Sequence, residues 1–206
     1  MLSYCKVVLM PTLPWLSHAD LTAERLSILA EGLLNIRHDT FAELATRFDD
    51  NYSRGCTTFG RQRQWLMQLA TSGRYSWLTL ASPAMDLTVN IGVIPVRFFT
   101  DDHDSPKKHG YFRRNEVDCL FSPDETEPVL FRFVVEPAAT ADDEDRVFFL
   151  GHNAFNEVVV EWQYRPKTAV IVPVDAEVPA AVVQSDAEVG LKSSGNEQDA
   201  EASGSR

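Results

Sequence analysis

The first third of the chain places apolar residues at the spacing of an amphipathic helix. From Asp20 to about Leu34, the residues Leu26, Leu29, Ala30 and Leu33 share one helical face. Ser17 or Asp20 is available as the N-cap of this helix. The pattern predicts a first helix that buries one side.

Two further helices are predicted before residue 74. Thr40-Phe41-Ala42-Glu43 has the form of a capping box and opens a helix over about 40–48. A third helix is predicted from near Thr57 to Ser72, closed by Gly73, which suits the left-handed conformation at a helix end. Together the three segments predict a helical layer over about 17–73.

After Gly73 the pattern changes to period two and to β-branched and aromatic residues, which is typical of strands. Within the segment 129–136, every second residue is predicted to be buried and the other face to be partly solvated. A tight hairpin through Gly92 joins the second and third strands. The predicted strands are Tyr75 to Leu80, Asp86 to Ile91, Val93 to Phe99, Val129 to Glu136, Arg146 to Leu150 and Glu157 to Tyr164. The sequence therefore predicts an α+β fold, with about three N-terminal helices packed on a mostly antiparallel β-sheet of five to six strands.

Composition divides the chain into a folded part and a tail. The 206 residues carry 30 acids and 19 bases, a net charge of −11, and 44% of them are hydrophobic, which excludes a wholly disordered protein. Residues 167–206 contain seven acids, three bases and no Phe, Trp or Tyr. We therefore expect a single α+β domain over 1–166, β-rich from about 75, followed by a disordered acidic tail over 167–206.

Cysteine usage and hydropathy bear on location. Cys5, Cys56 and Cys119 are odd in number and widely spaced, which is typical neither of a disulfide framework nor of a zinc site. The sequence has no apolar run of the roughly 18 residues that a membrane helix needs. These features predict a cytoplasmic protein that does not enter a membrane.

One segment reverses the acidic balance. Residues 51–85 contain no Asp or Glu, and the third predicted helix places several polar and basic side chains on one side. The order of three helices and a hairpin resembles the general layout of a winged helix-turn-helix, in which such side chains read base edges. The alternative is an ordinary solvated helix face. The candidate contact residues here are Arg54, Arg61, Arg63, Gln64, Gln68 and Arg74.

A second candidate is the basic segment 107–114, which follows the acidic run Asp101-Asp102-His103-Asp104. Basic residues interleaved with aromatic rings are suited to hold a phosphate backbone or a partner loop. The opposite charges of the two halves also suit a self-complementary loop, and the acidic run departs from calcium-loop spacing. The candidate contact residues here are Lys107, Lys108, Tyr111, Arg113 and Arg114.

Motifs for catalysis are missing from the sequence, including nucleotide loops, zinc-protease helices and nucleophile elbows. A metal-dependent nuclease would have to combine Asp86, Glu136 and Glu157 or Glu161. His152 in a predicted turn is a weak candidate for a general base. No catalytic, cofactor-binding or metal-binding residue is assigned, and no cofactor is expected.

Three functional hypotheses follow. The first is a non-catalytic cytoplasmic accessory or regulatory protein that binds another protein, since acidic surfaces steer toward basic partners. The second is a DNA-binding regulator that uses the third helix and the basic loop 107–114. The third is a metal-dependent nuclease or hydrolase. The identity of the protein partner and the presence of a homo-oligomer stay open at this point.

Overall fold

The computed structural model describes residues 10–113, 127–140 and 143–166. In this part of the chain, three helices precede a sheet of six strands, so the predicted α+β class is confirmed. The predicted acidic tail lies outside the described residues. The helices are α1 (Pro14–Ser17), α2 (Ala23–Glu43) and α3 (Asn51–Thr71), and the strands are β1 (Leu78–Ser82), β2 (Thr88–Ile91), β3 (Ile94–Thr100), β4 (Leu130–Glu136), β5 (Arg146–His152) and β6 (Val158–Gln163).

The six strands are ordered in space as they are in sequence, and four of their five pairings are antiparallel. Only β3 and β4 run parallel, with Val96 beside Phe131 and Thr100 beside Val135. The predicted hairpin between β2 and β3 is confirmed: Ile91 pairs with Ile94, and Gly92 has φ +62°, which L side chains rarely adopt.

The division of the helical layer differs from the prediction. The segments 20–34 and 40–48 are not two helices, because α2 continues without a break to Glu43. Thr40 does not cap a new helix; it is buried in α2, and its hydroxyl donates to the carbonyl of Ile36 at 2.6 Å. The capping box belongs instead to Asp50 and Ser53, so α3 begins six residues before the predicted start at Thr57.

The sheet buries two unlike faces. On one side, α2 and α3 pack against apolar residues that include Phe133 and Phe149. On the other side, residues 101–113 cover the sheet, and Tyr111 packs with Phe148 and Leu150. The expectation that one face of the strand over 129–136 is partly solvated is wrong, because Arg132 on that face is fully buried beneath this segment.

Across the described ranges, no helix has both the length and the apolar character needed to cross a membrane.

Candidate functional site

A cleft of about 540 Å³ lies where the acid-free segment meets the basic loop. Its walls are Arg37 of α2, the N-terminal half of α3, residues 85–87, the C-terminal half of β3, residues 108–110 and Arg113. This volume is within the range of roughly 300 to 1,000 Å³ that is typical of ligand sites. We call it the α3–β3 cleft.

Most charged side chains of the α3–β3 cleft are basic. Lys108, His109 and Arg113 are exposed there and form no ion pair within the described residues. The cleft also contains Arg97, which bonds to Asp86 at 3.0 Å. The site thus gathers positive charge on the surface of a chain whose net charge is −11.

The α3 wall of the cleft is largely apolar. Phe59 of α3 stacks on Phe98 of β3 with ring centroids 5.5 Å apart, and the side chain of Met85 is 75% exposed at the rim. Thr58 also lines the cleft; its hydroxyl oxygen is buried and has no hydrogen-bond partner in the described residues. An unpaired buried hydroxyl is unfavourable for stability.

The floor of the cleft includes a strand edge that β2 does not cover. The β2–β3 ladder ends at the pair Val89 and Val96, whereas β3 continues to Thr100 beside β4. Pro95 has no N–H, so the backbone groups of residues 94 and 96 form the bonds to β2. Backbone groups of alternate residues in a strand point to the same side, so those of Phe98 and Thr100 point to the side on which β2 lies. Their backbone groups therefore face the cleft.

The acidic and basic halves of the segment 101–113 are joined through the backbone. The Asp101 carboxylate accepts the backbone N–H groups of Lys107 and Lys108 at 2.8 and 2.7 Å. These bonds use the backbone rather than the ammonium groups, so the Lys108 side chain lies exposed at the cleft. A charged acceptor for two N–H groups fixes the turn that carries it.

The basic candidates on α3 make contacts within the protein. Arg54 donates to the carbonyl of Leu44 at 2.7 Å, and Arg61 bonds to Glu43 at 2.6 Å. Arg63 donates to the carbonyl of Ala84 at distances of 3.3 and 3.2 Å. These three side chains therefore tie α3 to neighbouring segments.

The other candidates are spread over the molecule. Gln64 and Gln68 are exposed on α3, and the Arg74 guanidinium lies 5.3 Å from the ring centre of Tyr75. Arg114 lies outside the described residues. Of the predicted contact residues that the structure describes, only Lys108 and Arg113 line the α3–β3 cleft.

Tyr111 is buried rather than available for stacking on a ligand. It is 2% exposed, and its hydroxyl lies 3.1 Å from Nε2 of His152. Burial raises the pKa of Tyr111. Burial also lowers the pKa of His152 to about 4, and the Arg132 charge adds a smaller effect in the same direction. His152 is itself buried in β5, so this arrangement does not present a general base to a substrate.

The carboxylates considered for a nuclease have separate partners. Asp86 bonds to Arg97, Glu136 bonds to Arg146 at 2.6 Å, and a Glu157 carboxylate oxygen accepts from Asn153 at 3.2 Å. Glu161 is half-buried on β6. Three of these acids thus have different polar partners, and the fourth lies on β6.

Asp102, His103 and Glu136 bring ligand-type atoms within 4.8 Å of one another. His103 Nδ1 and Glu136 Oε1 are 3.0 Å apart, and the His103 ring stacks on Phe148 at 3.8 Å. These contacts, with the Arg146 guanidinium on the second Glu136 oxygen, give the group a structural role in closing the loop 101–113 over the sheet.

Arg97, Thr58 and the edge of β3 were not among the site residues predicted from the sequence. Their signal in the sequence is weak: Arg97 alternates with apolar residues in a strand, and Thr58 lies on a helix among other polar residues. The unequal lengths of β2 and β3, four and seven residues, create the open edge. The predicted strands 86–91 and 93–99 hide it because they are nearly equal.

Comparison with known protein families gives no match, and no curated protein and no solved structure matches the chain either. The assignment of function therefore rests on the geometry of the α3–β3 cleft.

Proposed function

We propose that this chain is a non-catalytic binding protein that takes up an acidic segment of a protein partner in the α3–β3 cleft. The observation that carries the proposal is the pair of exposed cations Lys108 and Arg113, with the exposed His109 nearby, beside an apolar wall. An acidic segment with apolar side chains would complement both features.

The contacts of the α3 arginines favour a polypeptide over nucleic acid. The basic side chains proposed to read DNA from α3, Arg54, Arg61 and Arg63, are held by contacts inside the protein. DNA binding therefore stays the second hypothesis, and a cytoplasmic regulatory role stays a prediction.

The proposal is tested with a photo-crosslinking amino acid in the full chain, expressed in its native cell. Met85 is the labelled position in the cleft, and Val93, which is 66% exposed at the β2–β3 turn, is the control. We expect label at position 85 to form an adduct whose mapped peptide is acidic. An adduct with nucleic acid, or the same adducts from position 93, would overturn the proposal.

A matched pair of charge reversals sharpens this test. Lys107 and Lys108 are adjacent and exposed, and both donate their backbone N–H to Asp101, but only Lys108 lines the cleft. Lys108→Glu should reduce the adduct from position 85 by about tenfold, whereas Lys107→Glu should leave it within about twofold. Equal effects of the two variants would point to the charge of the whole molecule instead.

A further inference from the structure

We infer that the partner segment binds as an added β-strand on the open edge of β3 and that it alternates acidic and apolar residues. This inference rests on the proposed function and deepens it, because it specifies how the acidic segment is recognised. Three independent features of the cleft support it: a free row of backbone groups, two walls of different chemistry, and the length of the edge.

The backbone groups come first. Beyond the Val89–Val96 pair, β3 keeps β4 on one side and turns the N–H and C=O groups of Phe98 and Thr100 toward the cleft. The Asp101 N–H donates to the carbonyl of Val135 in β4 at 3.2 Å, as expected if odd-numbered positions face β4. An edge with unpaired N–H and C=O groups is the surface on which extended peptides add a strand.

The other long edge of the sheet is treated differently. At β6, Thr12 lies beside the strand and exchanges backbone bonds with Val159 and Glu161 at 2.9 and 3.0 Å. The end of β3 has no such backbone partner in the described residues and instead faces an open cleft.

The two walls set the side-chain pattern. A strand beside β3 would direct alternate side chains toward α3, where Phe59 and Met85 offer apolar contacts, and toward residues 108–113, where Lys108 and Arg113 offer positive charge. Alternation of apolar and acidic residues satisfies both walls at once. A run of acids would instead press half of its charges against the apolar wall, where desolvation is unfavourable.

The length of the open edge fixes the size of the recognised segment. Residues 97–100 span about 13 Å at roughly 3.3 Å per residue, which matches a core of about four residues in the partner. Two of those positions would bond to Phe98 and Thr100.

The test uses capped synthetic hexapeptides and the full chain. One peptide alternates glutamate and valine, and a second contains three glutamates followed by three valines, so composition and charge are equal. Strand addition predicts that the alternating peptide binds at least about tenfold more tightly. It also predicts slower amide hydrogen exchange at Phe98 and Thr100, with no change at Thr79 of β1.

Backbone methylation separates strand pairing from side-chain attraction. The alternating peptide is made with N-methyl groups on its valine amides or on its glutamate amides. In an added strand only one of these sets faces β3, so one methylated peptide should lose at least about tenfold in affinity while the other stays within about twofold. The valine set is the sensitive one in antiparallel addition and the glutamate set in parallel addition.

Several results would overturn strand addition. Equal binding of the alternating and block peptides, both lost in Lys108→Glu, would leave an acidic-segment site without strand pairing, so the proposed function would stand alone. Equal tolerance or equal loss with the two methylated peptides, or no binding of the alternating peptide, would also contradict it. Failure of the proposed function itself shows separately, in the crosslinking at position 85.

Discussion

The two faces of the sheet are buried by different means. The face under α2 and α3 is filled with hydrocarbon: Leu29, Leu33, Phe133 and Phe149 are each at most 2% exposed. The face under residues 101–113 mixes aromatic rings with buried polar groups, among them Arg132 and His152. We call the first the apolar face and the second the polar face. Burial of apolar surface should stabilise the apolar face, whereas the polar face should also depend on hydrogen bonds whose strength varies with charge and pH.

The largest expected effect is on the apolar face. Phe149→Ala removes a ring that contacts Phe131 and Phe133 at centroid distances of 5.8 and 4.9 Å. The lost burial and the resulting cavity should lower the free energy of unfolding by about 4 to 5 kcal/mol. Urea titration at neutral pH measures this, with the exposed residue Val93→Ala as a control. A loss below about 2 kcal/mol would mean that the face is not tightly packed.

The next effect tests the polar face. Arg132 donates to the carbonyls of Tyr111, Phe131 and Arg113 at 3.1, 2.8 and 3.2 Å. Arg132→Met keeps an apolar stem of similar length but removes all three donated bonds, and among the described residues only the Arg113 carbonyl keeps a second side-chain donor, Arg97 at 3.1 Å. We expect a loss of about 3 to 4 kcal/mol in the free energy of unfolding, together with faster proteolysis within 101–113.

The control for Arg132 is Arg74→Met, an exposed arginine beside Tyr75 whose replacement should change stability by less than about 0.5 kcal/mol. If Arg132→Met left the proteolysis of 101–113 unchanged, the buried guanidinium would not be what holds that segment on the sheet.

The same contrast explains what the sequence could predict. Period-two patterns placed the six strands because the two faces of a strand carry different side chains: Arg97 and Arg132 alternate with apolar residues even though both faces are buried. The cap signal at Thr40 was misleading, because its hydroxyl bonds back to Ile36 within α2 and also accepts from Arg61 of α3. Asp50 and Ser53 supply the cap instead. A local pattern does not reveal which of two candidate caps the fold uses.

The polar face and the α3–β3 cleft could not be predicted from local sequence patterns for a related reason. Arg132 and Arg97 alternate with apolar residues as solvated side chains do, but residues 101–113 fold over them. The basic and aromatic composition of the segment 107–114 predicted Lys108, Tyr111 and Arg113 alike as contact residues. Lys108 and Arg113 line the cleft, whereas Tyr111 is buried. Whether a basic or aromatic residue reaches the surface depends on contacts distant in sequence.

The third prediction concerns pH and only the polar face. Burial lowers the pKa of His152 to about 4 from 6.5, so the unfolded chain binds more protons than the folded chain between these values. The contribution is complete above about pH 6.5 and is lost as pH falls toward 4, with a total on the order of 3 kcal/mol. Urea titrations across this range measure the slope.

His152→Asn should flatten this slope, whereas His109→Gln, a change at an exposed histidine, should keep it. Phe149→Ala should lower stability by the same amount at both ends of the range, because no titrating group is involved. An unchanged slope in His152→Asn would show that the acid sensitivity lies elsewhere.

The smallest expected effect lies where the polar face opens into the cleft. Asp86 bonds to Arg97 at 3.0 Å; the carboxylate side chain is 41% exposed, while that of Arg97 is 5% exposed. Solvent screens the exposed partner, so Asp86→Asn should lower the free energy of unfolding by only about 1 kcal/mol. The same change removes the negative charge of the cleft, so the alternating acidic peptide should bind about threefold more tightly. Weaker binding in Asp86→Asn would mean that this carboxylate orients Arg97 for the partner, and the polar face would then be part of the binding site rather than only its support.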